Sequence, residues 1–199
     1  MRVQVRPILR GQLGRLMVGI SAFEVGNIAA TLLILRATDL LEPGRGHDSA
    51  VQLALLLYAL YNLAATTASV PAGRLVDRRG PVLVLTGGVA CFLVAYAGFA
   101  ATGASIAVLA ACFLAAGAAI GCVETAEHAA VATLAPREVR GSAFGLLAGV
   151  QSLGNLVASA TAGLLWTAFS PAAGLLFAAT VMAVALGCLA WGVRPKRNP

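Results

Sequence analysis

The stretch "GRLVDRRGPVLVL", residues 73–85, sets Arg74, Asp77, Arg78 and Arg79 between two glycines, Gly73 and Gly80, and leaves long, almost uncharged apolar sequence on both sides. Such a cluster is stable in water and costly in hydrocarbon. It therefore reads as a loop joining two membrane spans, and the remaining sequence can be counted outward from it. The composition agrees. Hydrophobic residues make up 59% of the 199 and charged residues 11%, against about 25% charged in soluble domains. A water-soluble chain of this length has no core large enough to hide so much apolar surface.

A helix needs about 20 mainly apolar residues to cross a bilayer. Six segments qualify: 14–38, 51–72, 81–101, 104–133, 142–168 and 171–193. None alternates with the two-residue period of a membrane strand, and backbone in lipid must satisfy its own hydrogen bonds. The expected fold is an all-α membrane protein, a six-transmembrane-helix bundle. Its domain plan is a basic cytoplasmic N-terminal segment (1–13), the bundle (14–193) and a basic cytoplasmic tail (194–199). The basic-then-apolar start is similar to a leader peptide, but Glu24 and Asn27 interrupt its apolar run, so it reads as an uncleaved first span.

The basic residues support this count. Of the 14, all but Arg36 and Arg45 fall on one side when six helices alternate. The positive-inside rule places that side, with both termini, in the cytoplasm. A plasma membrane, bacterial inner membrane in type, is the expected location. The net charge of +6 has no basic face interleaved with aromatics, so no nucleic-acid partner is expected. The connections at 101–105 and 168–171 are short enough for tight hairpins. "EPGRGHDSA" (42–50) reads as an irregular external turn. Gly117-xxx-Gly121 and Gly145-xxx-Gly149 both predict close helix approach. Cys91, Cys112, Cys122 and Cys188 lie within apolar runs and read as small buried hydrophobes.

Physics alone gives the 73–85 loop two glycine turns and an anion, Asp77, suited to a helix N-terminus. The stretch also resembles the signature loop of the major facilitator superfamily, roughly G-x-L-x-D-R-x-G-R-[RK]. Gly73, Leu75, Asp77, Arg78 and Gly80 match, while Pro81 and Val82 replace the two trailing basic residues. "LAPREVRGSAFGL" (134–146) resembles the family's loop into the fifth helix of a half, with Pro136, Glu138, Arg140 and Gly141 in place. Family transporters have two six-helix halves. The fourth span here has no Arg and the fifth no Gly-Pro pair, whereas "FEVGNIAATLLILRATDL" is similar to a seventh helix. The chain thus resembles a C-terminal half. The resemblance implies alternating access between two bundles, with Asp77 and Arg78 closing the cytoplasmic side against a helix of the opposite bundle. That partner would be a second six-helix bundle, from another copy or from a separate N-terminal half.

Ionisable groups inside spans are functional candidates by default. Glu24 and Asn27 lie three apart on one helix face. Glu124 shares a face with Glu127 and His128 in the fourth span. Desolvation makes a membrane carboxylate costly when charged, which suits reversible protonation, and an imidazole titrates near neutral pH. Glu24, Asn27, Glu124, Glu127 and His128 are therefore the candidate substrate or proton site. Glu127 and His128 also read as interfacial, solvated residues, and Arg36 with Asp39 as a snorkelled pair. Tyr58, Tyr61 and Asn62 could line a cavity, and Gln151 and Asn155 are placed to hydrogen-bond between helices. There is no P-loop, no legible catalytic triad and no metal-ligand pattern, so no enzyme activity, cofactor or metal is expected. The chain reads as a half-size secondary transporter of a small organic solute in the lipid bilayer, with proton coupling available. A second reading is a truncated or interaction subunit that keeps the fold without the cycle.

Overall fold

The computed structural model describes residues 11–193. The terminal basic clusters Arg2, Arg6 and Arg10, and Arg194, Lys196 and Arg197, lie outside the described residues, as do most of the N-terminal segment and the whole tail. Seven α-helices follow in order among the described residues: α1 (Gly11–Glu24), α2 (Ala30–Arg45), α3 (His47–Arg79), α4 (Pro81–Ala101), α5 (Ile106–Leu134), α6 (Arg140–Ala168) and α7 (Pro171–Val193). A single 3₁₀ turn, Arg137–Val139, leads into α6. Five of the helices, α3 to α7, are each long and apolar enough to cross a membrane.

The expected first span, 14–38, is not one helix. It divides into α1 and α2, 14 and 16 residues long. At about 1.5 Å per residue neither spans about 30 Å of hydrocarbon alone. The chain leaves helical geometry at Val25. Gly26 N–H then donates to the Phe23 carbonyl at 2.9 Å, and Ile28 N–H to the Gly26 carbonyl at 3.0 Å. Gly26 suits this break twice over. Glycine is a poor helix former, and a Cβ there would press within 2.9 Å of Val181 on α7.

The two expected loops are also different. Residues 73–79 are the last turns of α3, and Gly80 alone separates α3 from α4. Likewise α2 runs through Pro43 to Arg45, and Gly46 alone precedes α3. Gly46 and Gly80 adopt φ of +77° and +83°, a region that favours glycine. Each donates its N–H back four residues, to Glu42 and Val76 respectively. The reason the charged stretch stays helical is length. At 33 residues, α3 is about 50 Å long, so its charged end extends beyond the hydrocarbon without unwinding. Gly73 makes no turn; it lies within the last turns of α3, facing Thr125 on α5.

The centre of the bundle is α5, which packs on α3 and α4, while α7 packs on α1, α4 and α6. Aromatic side chains fill the interior between α1, α4 and α5. The rings of Phe23 and Phe92 lie 5.5 Å apart, and Phe99 meets Phe113 edge-on at 5.0 Å. The cysteines are unpaired; Cys112 is buried as read from the sequence, whereas Cys91, Cys122 and Cys188 are only half-buried, and Cys91 donates its thiol to the Ala115 carbonyl.

One glycine pair behaves as predicted and the other does not. A Cβ at Gly117 or Gly121 would overlap the backbone of Tyr61 or Ala65, so α3 and α5 touch backbone to backbone. A Cβ at Gly145 or Gly149 would meet nothing within 4 Å. These two face outward from this bundle. Gly117→Val is therefore expected to destabilise the purified chain by about 2–3 kcal/mol, read as a lower unfolding temperature. Gly145→Ala is expected to stay within about 0.5 kcal/mol of wild type.

Candidate functional site

The break at residues 25–29 exposes backbone groups that need partners, and α6 supplies them. Asn155 Nδ2 donates to the Asn27 carbonyl at 2.9 Å, and Ala29 N–H donates to Ser159 Oγ at 2.9 Å. Asn155 and Ser159 are four apart, hence one above the other on one helix face. Gly154 permits the approach, because a Cβ there would overlap Glu24 itself. The Asn27 side chain folds back, donating from Nδ2 to Glu24 Oε2 at 3.1 Å. The completely buried Tyr96 of α4 reaches the Ile28 backbone on the other side.

A cavity of about 420 Å³ opens beside this break. Glu24 and Asn27 line it from the end of α1, Ile120, Glu124 and His128 from α5, and Gln151, Ser152 and Asn155 from α6. The structure thus brings together four of the five candidate residues from two distant parts of the sequence. Glu24 is only 3% exposed. His128 Nδ1 lies 2.8 Å from the Glu124 carbonyl. A carbonyl only accepts, so Nδ1 donates, and a neutral ring keeps Nε2 as an acceptor.

Glu127 departs from the reading of a solvated interfacial group. It is completely buried, whereas Glu124 and His128 are exposed on the cavity side. Gln151 Nε2 donates to Glu127 Oε2 at 2.8 Å, and Glu127 Oε1 has no hydrogen-bond partner among the described residues. Gln151 thus stands between Glu127 and the cavity. Glu127 remains within electrostatic reach of both Glu24 and Glu124. The three carboxylates form one acidic cluster.

The other predicted group stays apart from the cavity. Asp77 and Arg78 are exposed on the last turn of α3, and Glu138, Arg140 and Gly141 lie at the turn into α6. Asp77 meets the negative end of its own helix, the opposite of a cap. Arg140 Nε is buried without a hydrogen-bond partner. Arg36 donates from Nε to the Phe99 carbonyl at 3.2 Å, tying α2 to the end of α4, and stays near Asp39. Tyr58 and Tyr61 stack on each other, and Asn62 donates to the Tyr58 carbonyl of its own helix. Ser152 and Ser159 escaped sequence reasoning. The polar residues at 151, 155 and 159, spaced by four in an apolar span, were the available signal. No cluster of three His, Cys, Asp or Glu at metal-binding geometry exists among the described residues.

Comparison with known proteins returns a match to the model of the Major Facilitator Superfamily over residues 16–199. A protein of Methanocaldococcus jannaschii described as an uncharacterized MFS-type transporter is 33% identical over 178 residues. The matched region covers 88% of this chain and 43% of that relative, so the chain spans less than half the length of the relative.

If the α6 side chains hold the break, Asn155→Ala should cost about 1–3 kcal/mol for the freed Asn27 carbonyl. Amide exchange at residues 25–29 should accelerate while that of α4 stays unchanged, as measured by hydrogen–deuterium exchange in lipid nanodiscs.

Proposed function

The chain belongs to the major facilitator superfamily, and from that premise we propose that it forms one six-span half of a secondary transporter, with α1 and α2 together making the first span. Membership and its apolar helices make it a multi-pass membrane protein. A small organic solute occupies the cavity beside the break, and alternating access carries it across. The observation that carries this reading is the polar cavity of about 420 Å³ formed where the first span unwinds. That volume falls in the range of about 300–1,000 Å³ usual for small-molecule sites. Unwound backbone in a membrane persists only where it lines a cavity or is buried in protein.

Burial favours a half over a self-sufficient bundle. Of their apolar windows, α3 and α6 bury 11% and 22%, whereas α4 and α5 each bury 44%. The exposed face of α3 carries Asn62, Thr66 and Thr67 among its leucines, and α6 presents Gly145, Gly149 and Ser152 outward. Polar and small residues suit a second bundle better than lipid tails. A second copy or a separate N-terminal half closes the cavity along α3 and α6. Asp77 and Arg78 then meet that bundle at the cytoplasmic side, with Glu138, Arg140 and Gly141 beside them, both termini cytoplasmic and the plasma membrane as the location. The basic segments 1–13 and 194–199 flank the bundle of 14–193 in sequence, and the role is transport, not catalysis.

Proton coupling runs through Glu24 and Glu127. Glu124 of α5 lies within electrostatic reach of both, Tyr96 of α4 within reach of Glu24, and Tyr61 of α3 within reach of Glu124 and Tyr96, while His128 of α5 shares the cavity wall. The test is solute and proton flux in proteoliposomes, with the chain reconstituted alone and with a co-expressed N-terminal half. Asp77→Asn should lower the transport rate about tenfold without changing assembly. Glu127→Gln should flatten the pH dependence of uptake. Flux that keeps its full pH dependence in both Glu127→Gln and Glu24→Gln would remove these carboxylates from the cycle, and a flux-silent protein in both reconstitutions would remove the transporter reading.

A further inference from the structure

We infer that the cavity selects an organic cation. The inference rests on the reading of this cavity as the solute site, and names the chemical class that fits it. Glu24 and Glu124 line the space with His128, and among the described residues neither lysine nor arginine lines it. Glu24 is the last residue of α1, where the backbone carbonyls already make the helix end negative. Its described hydrogen bond comes from Asn27, a neutral amide. Acidic groups thus gather at one end of the cavity, and Glu24 keeps only 3% of its surface exposed.

An independent observation comes from Glu127. Its Oε1 is buried and has no hydrogen-bond partner, although an orphaned buried polar atom costs about 1–3 kcal/mol. Three neighbours, all in the cavity wall, link it to the cavity it does not itself line: the carboxylates of Glu24 and Glu124 within electrostatic reach, and Gln151, which donates to Glu127 Oε2. A cation there gives the two lining carboxylates an opposite charge that no described side chain places in the lining, with Glu127 in electrostatic reach behind them. A neutral solute would leave them unmatched, and an anion would be repelled.

Size separates an organic cation from a metal ion. The carboxylates do not converge on a common metal-binding point, and about 420 Å³ is far larger than one alkali ion needs. An ammonium or quaternary amine spreads its charge over such a volume and brings apolar surface, which Ile120 meets on the wall.

The test is equilibrium binding to the purified full chain in nanodiscs. The probes are choline, its neutral carbon analogue 3,3-dimethyl-1-butanol and the matching anion 3,3-dimethylbutyrate, with tetraethylammonium and tetraphenylphosphonium as larger cations and sodium chloride as the metal arm. At least one organic cation should bind, and the neutral and anionic analogues should bind at least tenfold more weakly. Glu24→Gln retains an acceptor for Asn27 and should weaken cation binding about tenfold, with the unfolding temperature as the control for folding. Binding of the neutral or anionic probe alone, binding of sodium alone, cation binding unchanged in both Glu24→Gln and Glu124→Gln, or no binding of any probe would each overturn the inference. The transport reading fails separately. Cation-selective binding without flux in either reconstitution keeps the cation site and removes the transporter, whereas flux of a neutral solute indifferent to these cations does the reverse.

Discussion

Everything at the site depends on how five residues of broken helix are kept satisfied inside the bundle. An unpaired buried backbone group costs about 1–3 kcal/mol, and α6 answers two of those in the gap between α1 and α2, while Tyr96 of α4 reaches the Ile28 backbone. Asn155 and Ser159 take one carbonyl and one N–H across the interface. Gly26 and Gly154 remove the side chains that would hold α7 and α6 away. Once the break is held, Glu24 and Asn27 stand at its edge, Gln151 and Ser152 complete the polar stripe on α6, and α5 adds its acidic turn. The cavity is a consequence of the break.

The same polar seam explains the uneven surface of the bundle. α4, α5 and α7 bury their sides in an aromatic and alanine-rich interior, with Phe92, Tyr96, Phe99 and Phe113 at its heart. α3 and α6 give up much less of their surface. Those two helices flank the open side where Glu124, His128 and Ser152 are exposed. In a membrane, exposed ionisable groups on an open flank favour water or protein over lipid. This asymmetry is what a partner bundle would complete, and the outward Gly145 and Gly149 leave room for it.

Much of this was legible in the sequence because hydropathy reports burial in lipid directly. Five of the six expected spans correspond to α3 to α7, and the short connections after α4 and α6 fall where expected. The resemblance carried by Gly73, Asp77, Arg78, Gly80 and the 134–146 stretch agreed with the family to which the chain belongs. Helix ends were less legible. Residues 73–79 look like a loop by charge, but a long helix carries charge beyond the bilayer at no cost to its hydrogen bonds. Gly26 and Asn27 look like an ordinary weak point in a helix, since nothing local announces that Asn155 and Ser159, some 130 residues away, accept the break. The two glycine pairs are identical as motifs and opposite in use, because close approach depends on the neighbour as much as on the glycine. At the site, Glu24 and Asn27 were legible by their cost in a span. Burial of Glu127 was not, as one helical turn decides whether a residue meets water or the interior.

The most direct test of the account is water access to the cavity wall in intact membranes. Ser152→Cys and Leu164→Cys lie on the same helix, both exposed from this bundle; Ser152 lines the cavity and Leu164 does not. In a background with the four native cysteines replaced by alanine, labelling by a membrane-impermeant maleimide should be much faster at position 152 than at position 164. Equal labelling at the two positions, or labelling at 164 alone, would contradict a polar cavity beside the broken helix.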